Sequence, residues 1–195
     1  MNLYAFGRSL FSGIFAVGYR IKVIGKDNVP KDSGVLICAN HISNLDPPLV
    51  GSTANNRNVH FMAKSELFDM PVLKYVLPRV HAFPVRRGMS DKQALRNGLQ
   101  LLRDGEVVGL FPEGSRNKTG VVGEGLAGAG FFALKTDAKV VPCAIIGPFK
   151  VFNEIKIVYG EAIDLTEFKE RKASAREATL KIMEEIQKLY DANKS

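Results

Sequence analysis

Short runs without a polar residue, such as VLICA at 35–39 and VVGLF at 107–111, set the strongest limit on what this chain can fold into. A strand that faces water on one side alternates apolar with polar residues. An unbroken apolar run of strand length suits a strand covered on both faces. Strand-like stretches recur near 21–24, 34–39, 58–62, 81–85, 106–111, 140–146 and 154–159. Helical patterns separate most of them, at 47–54, 64–77, 90–103 and 124–136, and a charged amphipathic helix follows at roughly 165–190. This alternation predicts an α/β protein, an αβα sandwich with a mostly parallel central sheet. Chemistry in such sheets gathers at the carboxyl ends of the strands, where loops and helix N-termini converge.

The start of the chain reads differently. Leu3, Phe6, Leu10, Ile14 and Val17 fall at helical spacing, Phe11 and Phe15 widen the stripe, and Arg20 and Lys22 follow. An amphipathic helix with aromatic and aliphatic residues on one face and cations at its end suits either its own domain or a membrane interface. No stretch reaches the ~20 apolar residues of a spanning helix. Arg8 in mid-segment and the lack of an early basic region argue against a signal peptide. The expected place is therefore the cytoplasm.

Charge points the same way. The chain carries a net +7, and residues 57–103 hold nine Lys/Arg against three Asp/Glu, while residues 1–22 hold three cations and no acid. Such asymmetry suits an anionic partner: nucleic acid, phospholipid head groups or a phosphorylated substrate. The two cysteines, Cys38 and Cys143, sit inside apolar runs and read as buried reduced thiols, with no disulfide framework and no zinc ribbon.

Four short stretches fall at expected strand ends. NHISNLDPP, residues 40–48, places His41 and Asp46 five apart. On one helix that spacing splays them, and on one strand it puts them on opposite faces, so they meet only across a turn. Asp46-Pro47 supplies one, looking like an N-cap with proline at the first helical position. A His–carboxylate pair there would be a general base with its orienting partner. The plain alternative is a capping Asp beside a loop histidine. HAFPVRRG, residues 81–88, delivers Arg86 and Arg87 to a strand end, where they could capture an anion or form a solvated turn. LFPEGSR, residues 110–116, sets Glu113 and Arg116 on a Pro/Gly turn, to pair with each other or to hold substrate. KVVPCAIIG, residues 139–147, has Pro142 inside a strand, which predicts an edge or a bulge. The Gly-rich VVGEGLAGAG lacks a phosphate-loop signature and reads as a helix-packing segment, and neither a zinc pattern nor a G-x-S-x-G elbow is present.

In this order the four stretches resemble the four blocks of the glycerolipid acyltransferase family, from about Ile21 to Tyr159. N-H-x-S-x-x-D is matched by Asn40, His41, Ser43 and Asp46, and P-V-x-R by Pro84, Val85 and Arg87. F-P-E-G-[ST]-R is matched by Phe111 to Arg116 throughout, and V-P by Val141 and Pro142. Lys64 matches a lysine common after the second of these strands. One departure is Gly123, where the family often has a lysine or arginine ahead of the glycine that opens the next helix.

The resemblance implies an acyltransferase domain over 21–195 behind an amphipathic membrane-interface helix over 1–20, attached peripherally to the inner face of the cell membrane. It implies transfer of a fatty acyl group from acyl-CoA or acyl carrier protein to the sn-2 hydroxyl of 1-acyl-glycerol 3-phosphate (lysophosphatidic acid), giving phosphatidic acid. Another acceptor, such as glycerol 3-phosphate, a different lysophospholipid or a lipid A precursor, is the alternative. His41 would be the base and Asp46 its orienting partner. Arg87 and Arg116 would bind phosphate, Glu113 would orient an arginine or a glycerol oxygen, and Gly114, Ser115 and Lys64 would complete the substrate site. Oxyanion donors are expected among backbone amides near Pro47–Leu49. Neither a cofactor nor a metal is expected, and the partner is an anionic membrane surface rather than nucleic acid. A basic binding module, the rival from another class, leaves His41–Asp46 and FPEGSR unexplained.

Overall fold

A computed structural model describes residues 3–86, 91–117 and 122–194. It holds a seven-stranded sheet: β1 (Arg20–Ile24), β2 (Val35–Ala39), β3 (Val59–Lys64), β4 (Ala82–Val85), β5 (Val107–Leu110), β6 (Lys139–Ile146) and β7 (Glu154–Tyr159). The spatial order is β1-β7-β6-β2-β5-β3-β4. Every neighbouring pair is parallel except β6–β7, which is antiparallel, so the sheet is mostly parallel as expected. All seven strands of the sequence reading are present.

The apolar runs are explained by where β2 lies. Val35, Ile37 and Ala39 enter one core, with Phe15 of helix α1 (Leu3–Gly18) and Leu49 and Val50 of α2 (Asp46–Thr53). Leu36 and Cys38 enter the other, with the later helices. Period-2 alternation therefore sends every residue of β2 into a core, and all five are buried. Cys38 and Cys143, on adjacent strands, serve opposite cores and are both free thiols.

The helices depart from the sequence reading in three places. The expected helix at 64–77 is broken into a 3-10 turn at Ser65–Asp69, a four-residue helix α3 (Leu73–Val76) and a second 3-10 turn at Pro78–Val80. Pro71 and Pro78 explain this: neither has an N–H to continue a helical ladder, and Pro71 also pushes its predecessor Met70 into the extended region, whereas Leu77 before Pro78 stays helical. Helix α4 (Lys92–Arg103) is capped by Asp91, whose carboxylate accepts from Gln93 and Ala94 N–H. Helix α5 (Gly128–Lys135) begins four residues later than expected. The closing amphipathic helix is split into α6 (Thr166–Glu170) and α7 (Ala175–Asn193), with a capping box from Ser174 and Glu177 starting the second. The Gly-rich segment does pack helices: Gly130 lies against the Ala175 backbone and Gly125 against Thr179 and Met183.

Pro142 is a correction. It lies in β6, between β2 and β7 and away from either edge. Its carbonyl accepts from Gly160 N–H (2.8 Å), beyond the last residue of β7, so its missing donor faces the point where β7 leaves the ladder. The bond that proline forgoes is the return bond to Gly160, where the β7 ladder ends. Among the described residues no helix is long and apolar enough to cross a membrane.

Candidate active site

The carboxyl ends of β2, β5, β3 and β4 lie side by side; β2, β5 and β4 each deliver one of the sequence-predicted stretches, and β3 delivers Lys64. Leu110 is in register with Cys38, and Val85 with Lys64. The loop after β2 therefore stands beside the turn after β5, with Lys64 and Arg86 further along the same edge. Arg87 lies outside the described residues.

Asp46 does not cap α2. Its carboxylate reaches backward: Oδ2 accepts from His41 Nδ1, Ile42 N–H and Ser43 N–H, each at 2.7 Å. Two consecutive backbone N–H groups aimed at one oxygen fold residues 41–46 into the turn that lets His41 and Asp46 meet. An oxygen holding two N–H donors can only accept from the ring, so Nδ1 carries the imidazole proton and Nε2 the lone pair. Asp46 is fully buried, and its other oxygen, Oδ1, has no hydrogen-bond partner among the described residues. The His41 side chain remains 12% exposed.

Three further contacts fix His41. Its ring stacks on Phe111, with centroids 4.2 Å apart, and Phe111 stacks on Phe61 in turn. Its carbonyl accepts from Asn117 N–H (2.7 Å). Its own N–H donates to Glu113 Oε1 (3.0 Å), while Glu113 Oε2 accepts from Gly123 N–H (3.2 Å). Glu113 thus ties the His41 loop to the segment after β5; the sequence reading had it orienting an arginine or a glycerol oxygen. Burial pushes its carboxyl above the ordinary range, against the pull of the two N–H groups. The Gly123 departure gains a reason, since a Cβ there would come within 2.7 Å of Glu113 Oε2.

Asn40, buried behind the loop, straps β2 to β6: Nδ2 donates to Ile145 O (2.9 Å) and Oδ1 accepts from Ile145 N–H (2.7 Å). Nearby Cys143 is a buried thiol pushed well up, first by burial and then by the Asp46 charge. Gly114 turns the chain at φ 68°. Ser115, Arg116 and Lys64 are exposed. The expected oxyanion donors fail as a set, because Pro47 and Pro48 have no N–H and Leu49 N–H bonds Leu45 O (2.9 Å).

Sequence reasoning placed His41, Asp46 and Glu113 in one site. It gave no role to Asn40, Phe111, Asn117 or Gly123. Phe111 and Asn40 were visible as block residues and Gly123 as a departure from the blocks, whereas Asn117 acts through a backbone N–H that leaves no trace in residue type. Among the described residues no group of three His, Cys, Asp or Glu side chains could hold a metal ion.

Residues 20–146 match the acyltransferase family model. The 1-acyl-sn-glycerol-3-phosphate acyltransferase of Bacillus subtilis is 32% identical over 97% of this chain and 99% of that protein. The protein of the same name from Borreliella burgdorferi is 32% identical over 68% of this chain and 53% of that one. In fold, the chain resembles the crystal structure of the 1-acyl-sn-glycerophosphate acyltransferase PlsC from Thermotoga maritima, with TM-score 0.74 and 24% identity over 99% of this chain and 80% of that chain.

Proposed function

The chain belongs to the acyltransferase family, and from that premise we propose that it transfers a fatty acyl group from a thioester donor to the sn-2 hydroxyl of 1-acyl-glycerol 3-phosphate, forming phosphatidic acid. The observation that carries this reading is the buried Asp46 carboxylate at 2.7 Å from His41 Nδ1, on a loop at the carboxyl edge of the sheet. A catalytic base needs a defined tautomer and a partner for the positive charge it acquires, and Asp46 offers both.

In the proposed reaction His41 Nε2 takes the acceptor's hydroxyl proton as that oxygen bonds to the thioester carbonyl carbon. The tetrahedral intermediate collapses, the C–S bond breaks, and the imidazolium returns the proton to the leaving sulfur. No serine nucleophile is required, so no acyl-enzyme forms. Arg116 and Arg87, which follow β5 and β4 in the chain, are proposed to neutralise the acceptor phosphate and hold its hydroxyl near His41. Lys64 adds charge to the same edge. The donor is acyl-CoA or acyl carrier protein.

The acceptor resides in membranes, and α1 is proposed to lie in the interface. Tyr4 and Phe15 face the domain, while Phe6, Leu10, Ile14 and Val17 remain exposed along one stripe. The proposed attachment is peripheral, at the inner face of the cell membrane.

The test is thiol release from a long-chain acyl-thioester, with or without 1-acyl-glycerol 3-phosphate, for wild type and His41→Ala. Both native cysteines are buried, so the enzyme's own thiols stay out of the readout. Acceptor-dependent release that vanishes in His41→Ala is expected. Release that persists in the mutant overturns the base, and no release with this acceptor overturns the substrate.

A further inference from the structure

The loop between β6 and β7, residues 147–153, carries a feature that the catalytic reading does not use. Phe152 is 71% exposed and has φ 65°, and its neighbour Val151 is also largely exposed. Bulky residues rarely adopt the left-handed region, where glycine would serve without strain. Folding gains little from this ring, because it packs on so little.

The loop is nonetheless firmly built. Phe152 N–H donates to Gly18 O (2.7 Å), Arg20 Nε donates to Phe152 O (3.1 Å), and Arg20 N–H donates to Asn153 O (3.0 Å). Phe149 turns inward and meets Tyr19 edge-on. These bonds fasten the tip to the junction of α1 and β1 and hold Val151 and Phe152 outward beside Val17, itself 80% exposed. The exposed stripe of α1 thus runs into the tip.

Direction and charge complete the argument. β6 is parallel to β2, so its carboxyl end, and the loop leaving it, lie at the sheet edge that carries His41. Within residues 1–24 and 147–153 every charged side chain is a cation: Arg8, Arg20, Lys22 and Lys150. Glu154 is the first acid after the loop. An apolar tip that carries Lys150 and is fastened by Arg20, on the edge where the proposed acceptor enters, complements an anionic bilayer.

We infer that the β6–β7 tip, Val151 and Phe152 with Lys150, inserts into the interface of an anionic membrane. It is a second anchor that, with α1, turns the His41 edge toward the lipid. The inference rests on the membrane-lipid reading of the acceptor, and the experiment keeps the two apart.

The chain has no tryptophan, so Phe152→Trp places a single reporter at the tip. Leu180→Trp places a control on the exposed face of α7, which packs on the opposite core from α1. Both variants are mixed with vesicles of phosphatidylglycerol and phosphatidylcholine, with and without brominated acyl chains. Emission from the tip indole should shift to the blue and be quenched by the brominated lipid, while the indole on α7 does neither. Phe152→Gly should melt no lower than wild type, since glycine accepts the left-handed backbone. It should bind the vesicles roughly tenfold or more weakly, in keeping with a lost buried ring. Its turnover on detergent-dispersed acceptor should be unchanged.

Three results overturn the inference. A tip indole that stays in water while the Phe152→Trp protein sediments with vesicles leaves α1 as the anchor. A lower melting point for Phe152→Gly with unchanged vesicle affinity makes the ring structural. A lipid-free, concentration-dependent blue shift of the tip indole makes the tip a contact between copies of this chain. Vesicle insertion of the tip indole without acyl transfer upholds the tip and overturns the proposed acceptor instead.

Discussion

Glu113→Gln is the sharpest probe of how the site is held. Each Glu113 oxygen accepts one backbone N–H, from His41 at 3.0 Å and from Gly123 at 3.2 Å. Glutamine keeps one acceptor and puts an NH2 where the other stood, so in either orientation one N–H faces another donor. A hydrogen bond to a charged group contributes about 1.5–3 kcal/mol. Some of that loss is offset, because the burial that raises the Glu113 carboxyl penalises its charge and not the amide. The net cost is about 1–2 kcal/mol, which lowers Tm by roughly 2–8 °C for a chain of this size. If the same free energy was holding His41 in place, kcat falls roughly 5- to 30-fold. The thiol-release assay, run over acceptor concentration beside a thermal melt, reads both. A fall in kcat and Tm with acceptor KM unchanged is expected. A raised acceptor KM with normal kcat and Tm would refute the reasoning and return Glu113 to a substrate-binding role.

Three other perturbations follow from the geometry. Asp46→Asn can present its carbonyl to the three donors and its NH2 at the site of the unpartnered Oδ1, so the fold should survive while kcat falls about 10³–10⁴-fold for want of charge. Asp46→Ala leaves two backbone N–H groups and a ring N–H without their acceptor and should cost about 3–5 kcal/mol in a denaturant melt; equal stability of the two variants would contradict this account. A Cβ on Gly109 would overlap the Phe61 ring, which stacks on Phe111 and so on His41. Gly109→Ala should therefore cost about 1–3 kcal/mol and also lower kcat, and a loss of stability with kcat untouched would break the proposed link. Glu177, held by Arg171 and then by Ser174, has its carboxyl lowered to about 2. A lowered carboxyl adds stability above the ordinary Glu range and loses it as pH falls toward that value, so the Tm gap between wild type and Glu177→Gln should close between about pH 5 and 2. A gap that does not change with pH would rule out the charge as its source.

Local chemistry made much of this protein legible in its sequence. Continuous apolar runs of strand length, bounded by turn residues, suit strands covered on both sides, and β2 sends alternate residues into two cores as such a run requires. His41 and Asp46 are near enough in sequence that a turn is the one way to join them, so spacing allowed the pair, and the resemblance to the acyltransferase blocks gave it a role. The broken helix after β3 was also written locally, in Pro71 and Pro78. The Ser174–Glu177 box that begins α7 was visible too, although periodicity alone ran one helix across it.

Tertiary structure decided what depends on the order of strands. Whether Asp46 caps forward or reaches back rests on which N–H groups the folded loop presents to it. Glu113 meets His41 N–H across 72 residues only because β5 pairs with β2, and Asn40 meets Ile145 across 105 only because β6 pairs with β2 on its other side. Pro142 is tolerated inside the sheet because β7 departs there. Residue types and spacings are fixed along the chain, so they reveal contacts closed by a single turn. Contacts closed by a crossover depend on strand neighbours, and those are chosen by burial of the whole sheet.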